Sequence, residues 1–278
     1  MSQMKQLVAA LLAAGALLFA ADTHSSLLHS SRQAATDLEI GNGQFLSYQD
    51  LLHLPQVTFT TSNDSNFPTP ARISGVTLEE LKRLFGSRDD MVVAICADGY
   101  RSNYPMAYLA AHHPVLVLTV DGKPQQDWPK THDGGELGPY VITNRDFTPS
   151  FKILSHTDEA QIPFQVVHLD FRSESQVLGA IKPHGDFAAG SPVMQGYRIA
   201  EQNCYRCHNM GAEGGRMASI PWPLIGAIAR SSPEFFARYV RNPQAVNPKS
   251  RMAASPNYDD QTIAALRAYF STFAVGGQ

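Results

Sequence analysis

The sequence is short of cysteine, with three in 278 residues, at positions 96, 204 and 207. That excludes a scaffold built on several disulfides, and it excludes a four-cysteine zinc site. Charge of either sign is not in excess: the formal net charge is −3 and no basic run occurs, which argues against nucleic acid as a partner. The chain also lacks a phosphate-cradling P-loop, a defensible Ser-His-Asp set and paired catalytic carboxylates. His53, His132, His156, His168 and His184 are scattered singly, as solvated or hydrogen-bonded histidines are. What is there, 44% hydrophobic and 17% charged residues, describes a globular protein with real cores, long enough for two domains of ordinary size.

The first residues, "MSQMKQLVAALLAAGALLFAADTHSS", have the layout of a secretory signal peptide. Lys5 gives a positive start, Leu7 to Ala20 is an uninterrupted apolar run, and Ala20 and Ala21 precede a polar stretch. The run is short for a membrane span. The expectation is a signal peptide over residues 1–21 and export to the periplasm. A membrane enters only if the segment is retained as an anchor.

The chemistry concentrates in "AEQNCYRCHNM". Cys204, Cys207 and His208 form a CxxCH, the pattern of c-type haem attachment, in which two thiols three apart add to the porphyrin and the next imidazole reaches the iron. A structural zinc site would need a further ligand pair, and no cysteine or histidine follows His208. The cofactor expected is one haem c, bound covalently through Cys204 and Cys207, with His208 as one axial ligand. Methionine is the usual second ligand when the task is electron transfer at raised potential. Met252, in "NPKSRMAASP", is the residue chosen, with Met217 and Met210 as rivals. Three helices are expected around the motif. Ser191 and Pro192 open the first, which delivers Cys204, and Ser232 and Pro233 open the second. Asp259 caps the third, with Ile263, Leu266, Phe270 and Phe273 on one face.

Residues 191–278 resemble a class I, mono-haem cytochrome c domain: a helix into "CYRCH", a glycine-rich loop, "PWPLIG", a helix, a loop with Met252 and a closing helix. The resemblance implies an all-α domain and a backbone carbonyl near "PWPLIG" that receives the His208 ring N–H.

The preceding stretch reads as an α+β domain. "MVVAICADGY", "HPVLVLTVDGKP" and "PFQVVHLDF" are strands, and "FLSYQDLLHLPQVTFTT" is a short helix broken at Pro55 and then a strand. "SGVTLEELKRLFG" is a helix with Thr77 and Glu80 as a capping box and Gly86 as its stop. Residues 38–173 resemble the molybdopterin-binding domain of sulfite-oxidase-type enzymes, most specifically in the DGY and DGK turns. That resemblance makes Cys96, in "CADGYR", the sole candidate molybdenum ligand, with Arg72, Arg101, His112 and His113 as the residues to watch. The segment is poor in the basic residues a pterin phosphate needs, so a module without molybdopterin is the reading taken. Residues 174–190 are expected to be a linker.

The expected protein is thus an exported electron carrier, not an enzyme, with its front module docking it to a periplasmic dehydrogenase or respiratory complex. The alternative is a molybdenum-dependent oxidoreductase with Cys96 on the metal and the haem as electron outlet.

Overall fold

The computed structural model describes residues 27–62, 64–67, 70–86, 88–131, 134–146 and 158–273. The expected signal segment, His132 and His156 lie outside the described residues. Among the described residues no helix is long and apolar enough to cross a membrane.

The front of the chain runs β1 (Leu38–Ile40), β2 (Gln44–Leu46), α1 (Tyr48–Leu52), β3 (Val57–Thr61), β4 (Ala71–Thr77), α2 (Leu78–Phe85), β5 (Met91–Cys96), β6 (Arg101–Pro105), α3 (Met106–His112), β7 (Pro114–Val120), β8 (Ile142–Asn144) and β9 (Val166–Arg172). One sheet has the order β2-β1-β9-β5-β6 and the other β3-β4-β7-β8. All pairs are antiparallel except β1 with β9. The local signals account for several boundaries. Thr77 Oγ1 accepts from the Glu80 amide at 3.2 Å, and α2 stops at Gly86. Ser47 and Asp50 form a reciprocal capping box on α1. At the DGK turn, Asp121 and Gly122 both have positive φ (52° and 74°), the conformation for which Asp-Gly is selected in tight hairpins.

The back of the chain is α4 (Glu174–Val177), α5 (Pro192–Asn203), β10 (Asn209–Met210), β11 (Glu213–Gly214), α6 (Trp222–Ser231), α7 (Pro233–Arg241), α8 (Pro243–Val246) and α9 (Asp260–Phe270). Ser191 caps α5 by accepting from the Met194 amide (3.3 Å), and Asp259 caps α9 by accepting from Thr262 (2.7 Å). Ser232 precedes α7 without a side-chain cap. Helix α6 covers "WPLIGAIARS", with Pro223 in its first turn, where a proline removes no helical hydrogen bond.

The expected division into an α+β module followed by a separate all-α class I cytochrome c domain is corrected by this architecture. Among the described residues the chain is mixed α/β with three sheets, and no all-α cytochrome domain is evident in its back part. The back part carries its own two-stranded sheet, Asn209–Met210 against Glu213–Gly214, directly after the CxxCH. It also shares a core with the front part. Strand β5 is apolar throughout, and successive side chains of a strand point to opposite faces. Val92, Ala94 and Cys96 enter the core that joins both large sheets. Met91 and Val93 enter a second core with Ile199, Trp222, Leu266, Tyr269 and Phe270, and Ile95 packs against it. A strand apolar on both faces must be covered on both, and the back helices supply the second cover. Residues 174–190 are not a free tether, since Val177, Leu178 and Ile181 are buried in that second core.

Candidate functional site

Helix α5 ends by delivering Cys204, and the turn continues without a break. The Cys204 amide donates to the Ala200 carbonyl at 2.8 Å, and the Cys207 and His208 amides both reach the Cys204 carbonyl, at 3.2 and 3.0 Å. Tyr205, fully buried, anchors the turn from below. Its hydroxyl donates to the Val177 carbonyl at 3.0 Å, and its ring meets Trp222 edge-on at 5.3 Å.

The hairpin β10–β11 then folds back over the motif. The Gly215 amide donates to the Tyr205 carbonyl at 2.9 Å, and a Cβ on Gly215 would lie 1.8 Å from the Arg206 carbonyl oxygen. Gly214 has a φ of 85°, and a Cβ there would lie 2.5 Å from the His208 carbonyl oxygen. The glycines of "GAEGG" thus let one backbone lie directly on another.

His208 is oriented by its own backbone neighbourhood. Its Nδ1 lies 2.7 Å from the Ile220 carbonyl oxygen. A carbonyl accepts and cannot donate, so Nδ1 carries the hydrogen and Nε2 carries the lone pair. Burial lowers the His208 pKa, which favours that neutral ring, while the Ile220 hydrogen bond acts in the opposite direction. This is the arrangement that fixes a ligating histidine: one nitrogen held by a second partner, the other available as an electron-pair donor. The acceptor lies just before "WPLIG", beside the stretch the resemblance indicated.

Cys204 and Cys207 are unpaired thiols, each half-buried. Burial and the neighbouring Cys207 push the Cys204 thiol up to about 12, and burial also raises Cys207. Thiol–disulfide catalysts instead lower the thiol pKa in an electropositive setting. Among the described residues no three His, Cys, Asp or Glu side chains converge as a metal cluster. Paired thiols followed by an imidazole with a prepared lone pair fit the demands of covalent haem attachment.

The methionines divide. The Met217 thioether sulfur lies 3.7 Å from Cys207 Sγ, with the residue 40% exposed. Met210 packs against the second core. Met252 is half-buried, held through its backbone, with its carbonyl accepting from Gln244 Nε2 at 2.8 Å. Its loop returns to the motif at Tyr258, which is buried in the same core as Cys204's contacts and close enough to interact electrostatically with that thiol.

The front module meets this site through the DGY turn. Gly99, with a φ of 88°, receives the Arg216 amide on its carbonyl at 2.8 Å, and the Arg101 amide donates to the Arg206 carbonyl at 2.9 Å. Arg206 Nη1 donates to the Tyr100 hydroxyl at 3.2 Å, while its Nε and Nη2 are buried without a hydrogen-bond partner. Glu213, on the hairpin, accepts from Arg172 at 2.5 Å and faces Arg101 at 3.8 Å. The DGY turn, one of the two most specific parts of the resemblance, is therefore the clamp on the CxxCH segment. Nothing in the spacing of either stretch marks this; Arg206, Ile220 and the role of Tyr100 were not legible.

Cys96 sits at the end of β5, 4% exposed, and burial, with Asp98 and Cys207 nearby, raises its pKa far above the ordinary thiol range. The residues to watch are dispersed. His112 bonds Asp158 at 2.9 Å, His113 bonds Glu79 at 2.8 Å, Arg101 faces the hairpin, and Arg72 is exposed on β4. No family model and no curated protein matches the chain.

Proposed function

We propose that the protein is an exported one-electron carrier with a single c-type haem attached through Cys204 and Cys207. The observation that carries this reading is the His208 ring, held by the Ile220 carbonyl with its second nitrogen available, immediately after two adjacent thiols. The haem, once attached, supplies reversible Fe(III)/Fe(II) chemistry. The chain's own residues do the rest. Cys204 and Cys207 would hold the group covalently, and His208 would be one ligand to its iron. Met252 would supply the second protein ligand, with Met217 as its competitor. The buried aromatic floor of Tyr205 and Trp222 keeps water from beneath the turn. The front module clamps the attachment segment through Gly99 and Arg101 and presents its outer surface to a redox partner, a periplasmic dehydrogenase or respiratory complex.

The test is expression with a cytochrome c maturation system, followed by an alkaline pyridine spectrum, intact mass and metal analysis. One covalently bound haem per chain is expected, lost in a Cys204→Ser/Cys207→Ser double variant. Met252→Ala is expected to open a site to carbon monoxide while Met217→Ala leaves the spectrum low-spin. The reverse pattern moves the sixth ligand to Met217. A matured chain without covalent haem refutes the proposal, and molybdenum near one atom per chain returns the question to Cys96.

A further inference from the structure

A second site lies in the front module, away from the CxxCH. The end of β8 and the turn after β3 enclose a cavity of about 70 Å³ lined by Thr61, Ser62, Asp64, Thr143, Asn144 and Arg145, among others. Asp64, Thr143 and Asn144 are 4%, 1% and 6% exposed. Each carries one oxygen buried without a hydrogen-bond partner: Asp64 Oδ2, Thr143 Oγ1 and Asn144 Oδ1. Buried polar atoms in native proteins are nearly always satisfied, and three unsatisfied oxygens on one cavity call for an occupant.

The chemistry of that occupant follows from what the three residues already do. Asp64 Oδ1 accepts from the Asn66 amide at 2.8 Å, which leaves Oδ2 as its remaining acceptor. The Asn144 amide nitrogen points to the Gln161 carbonyl at 3.5 Å, so its oxygen is the end left over. A carboxylate oxygen and an amide oxygen can only accept, and Thr143 can turn its lone pairs the same way. Among the described residues the one cation on the rim, Arg145, is exposed and donates to Asp146 at 3.0 Å. The cavity thus offers oxygen acceptors, and the groups that favour the charged carboxylate are the Thr143 hydroxyl and Asn66, none of them a cation.

We propose that this cavity binds a hard cation, calcium, through the Asp64 carboxylate, the Asn144 amide oxygen and the Thr143 hydroxyl. Calcium takes six to eight oxygen ligands from carboxylates, amides, hydroxyls and water, and a cavity of this size holds waters to complete the set. Water alone satisfies the acceptors but leaves the carboxylate's charge uncompensated; burial, the largest influence on Asp64, raises its pKa, while hydrogen bonds from Thr143 and Asn66 act against that shift. With one carboxylate the affinity belongs to the weak class, roughly 10⁻⁴ to 10⁻³ M. The site is independent of the haem reading, because it uses no residue of the CxxCH segment.

The experiment is calcium titration of the full chain by calorimetry and thermal unfolding, with sodium and magnesium as comparisons. Calcium at about 10 mM is expected to raise the Tm by about 3–8 °C. Asp64→Asn is expected to abolish the response, and the exposed control Asp146→Asn to keep it. Thr143→Val, which removes one ligand at constant shape, is expected to weaken binding severalfold and reports in place of Asp64→Asn if that variant does not fold. A wild-type chain with neither binding heat nor a calcium-dependent Tm overturns the proposal and leaves a water-filled cavity beside Asp64. Full calcium response in Asp64→Asn overturns it equally.

Discussion

Gly196→Ala is the substitution whose effect can be worked most directly from the structure. Gly196 lies in the middle of α5, where that helix crosses α9. A Cβ at this position would sit 2.1 Å from the Ala265 carbonyl oxygen, 2.5 Å from its carbonyl carbon and 2.8 Å from Tyr269 Cβ. The first two obstacles are backbone, so no rotamer change relieves them, and the helices must part by about 1 Å to restore ordinary contact. A gap of that size forfeits a quarter to a half of the dispersion energy of each contact it opens. The contacts at risk involve Ile199, Ala200, Leu266 and Tyr269, all buried. Overpacking of this kind costs about 1–3 kcal/mol, sometimes more, and alanine returns at most about 1 kcal/mol in helix propensity. With the cost at the upper end of that range, because the obstacles are backbone, a net loss of about 2 kcal/mol is expected, which lowers the Tm by roughly 4–8 °C in a chain of this size. Because α5 delivers Cys204, haem loading during maturation is expected to fall as well. The assay is urea and thermal unfolding beside Gly190→Ala, whose Cβ would meet nothing within 4 Å. If Gly196→Ala proves as stable as that control, the close helix crossing and the argument built on it are wrong.

Two further outcomes follow from the shared core and from a buried carboxylate. Val93, 3% exposed, faces the helical core from β5, so Val93→Ala is expected to cost about 1–3 kcal/mol. With Trp128 in the front part and Trp222 in the back, single-tryptophan variants are expected to give one common midpoint that Val93→Ala shifts for both; separate midpoints, with one shifting, would show two independent units. Glu201, on α5, is raised to about 7 by burial and then by the nearby Glu174, with Gln202 acting against the shift. Below about pH 4 both folded and unfolded chains hold this proton; as the pH rises towards 7 the unfolded chain releases it first, so Glu201 subtracts stability progressively and levels off above 7. Glu201→Gln is expected to match the wild type near pH 4 and exceed it at pH 8 by about 2 kcal/mol, after discounting the shift for partial exposure. Equal stability of the two at pH 8 would count against the shift.

The sequence by itself determined the elements whose signals are local. The caps at Thr77, Ser191 and Asp259, the stop at Gly86, the Asp-Gly turns and the apolar strands β5, β7 and β9 all rest on interactions within a few residues, so they are readable without the fold. The CxxCH is local in the same sense: one helical end and one turn place both thiols and the imidazole. The tertiary structure alone decided what covers each strand, and that is where the expectation of a separate all-α domain failed. The unbroken apolar run of β5 announces two buried faces, yet which distant helices bury the second depends on Val93 sharing one core with Trp222 and Leu266, an association without directional signature in the chain. The clamp of Gly99 and Arg101 on the attachment turn was equally hidden, because it is made by backbone amides and carbonyls that every residue carries. So was the Asp64 cavity, whose residues come from loops and strands about eighty positions apart and acquire meaning only as unsatisfied oxygens brought together by burial.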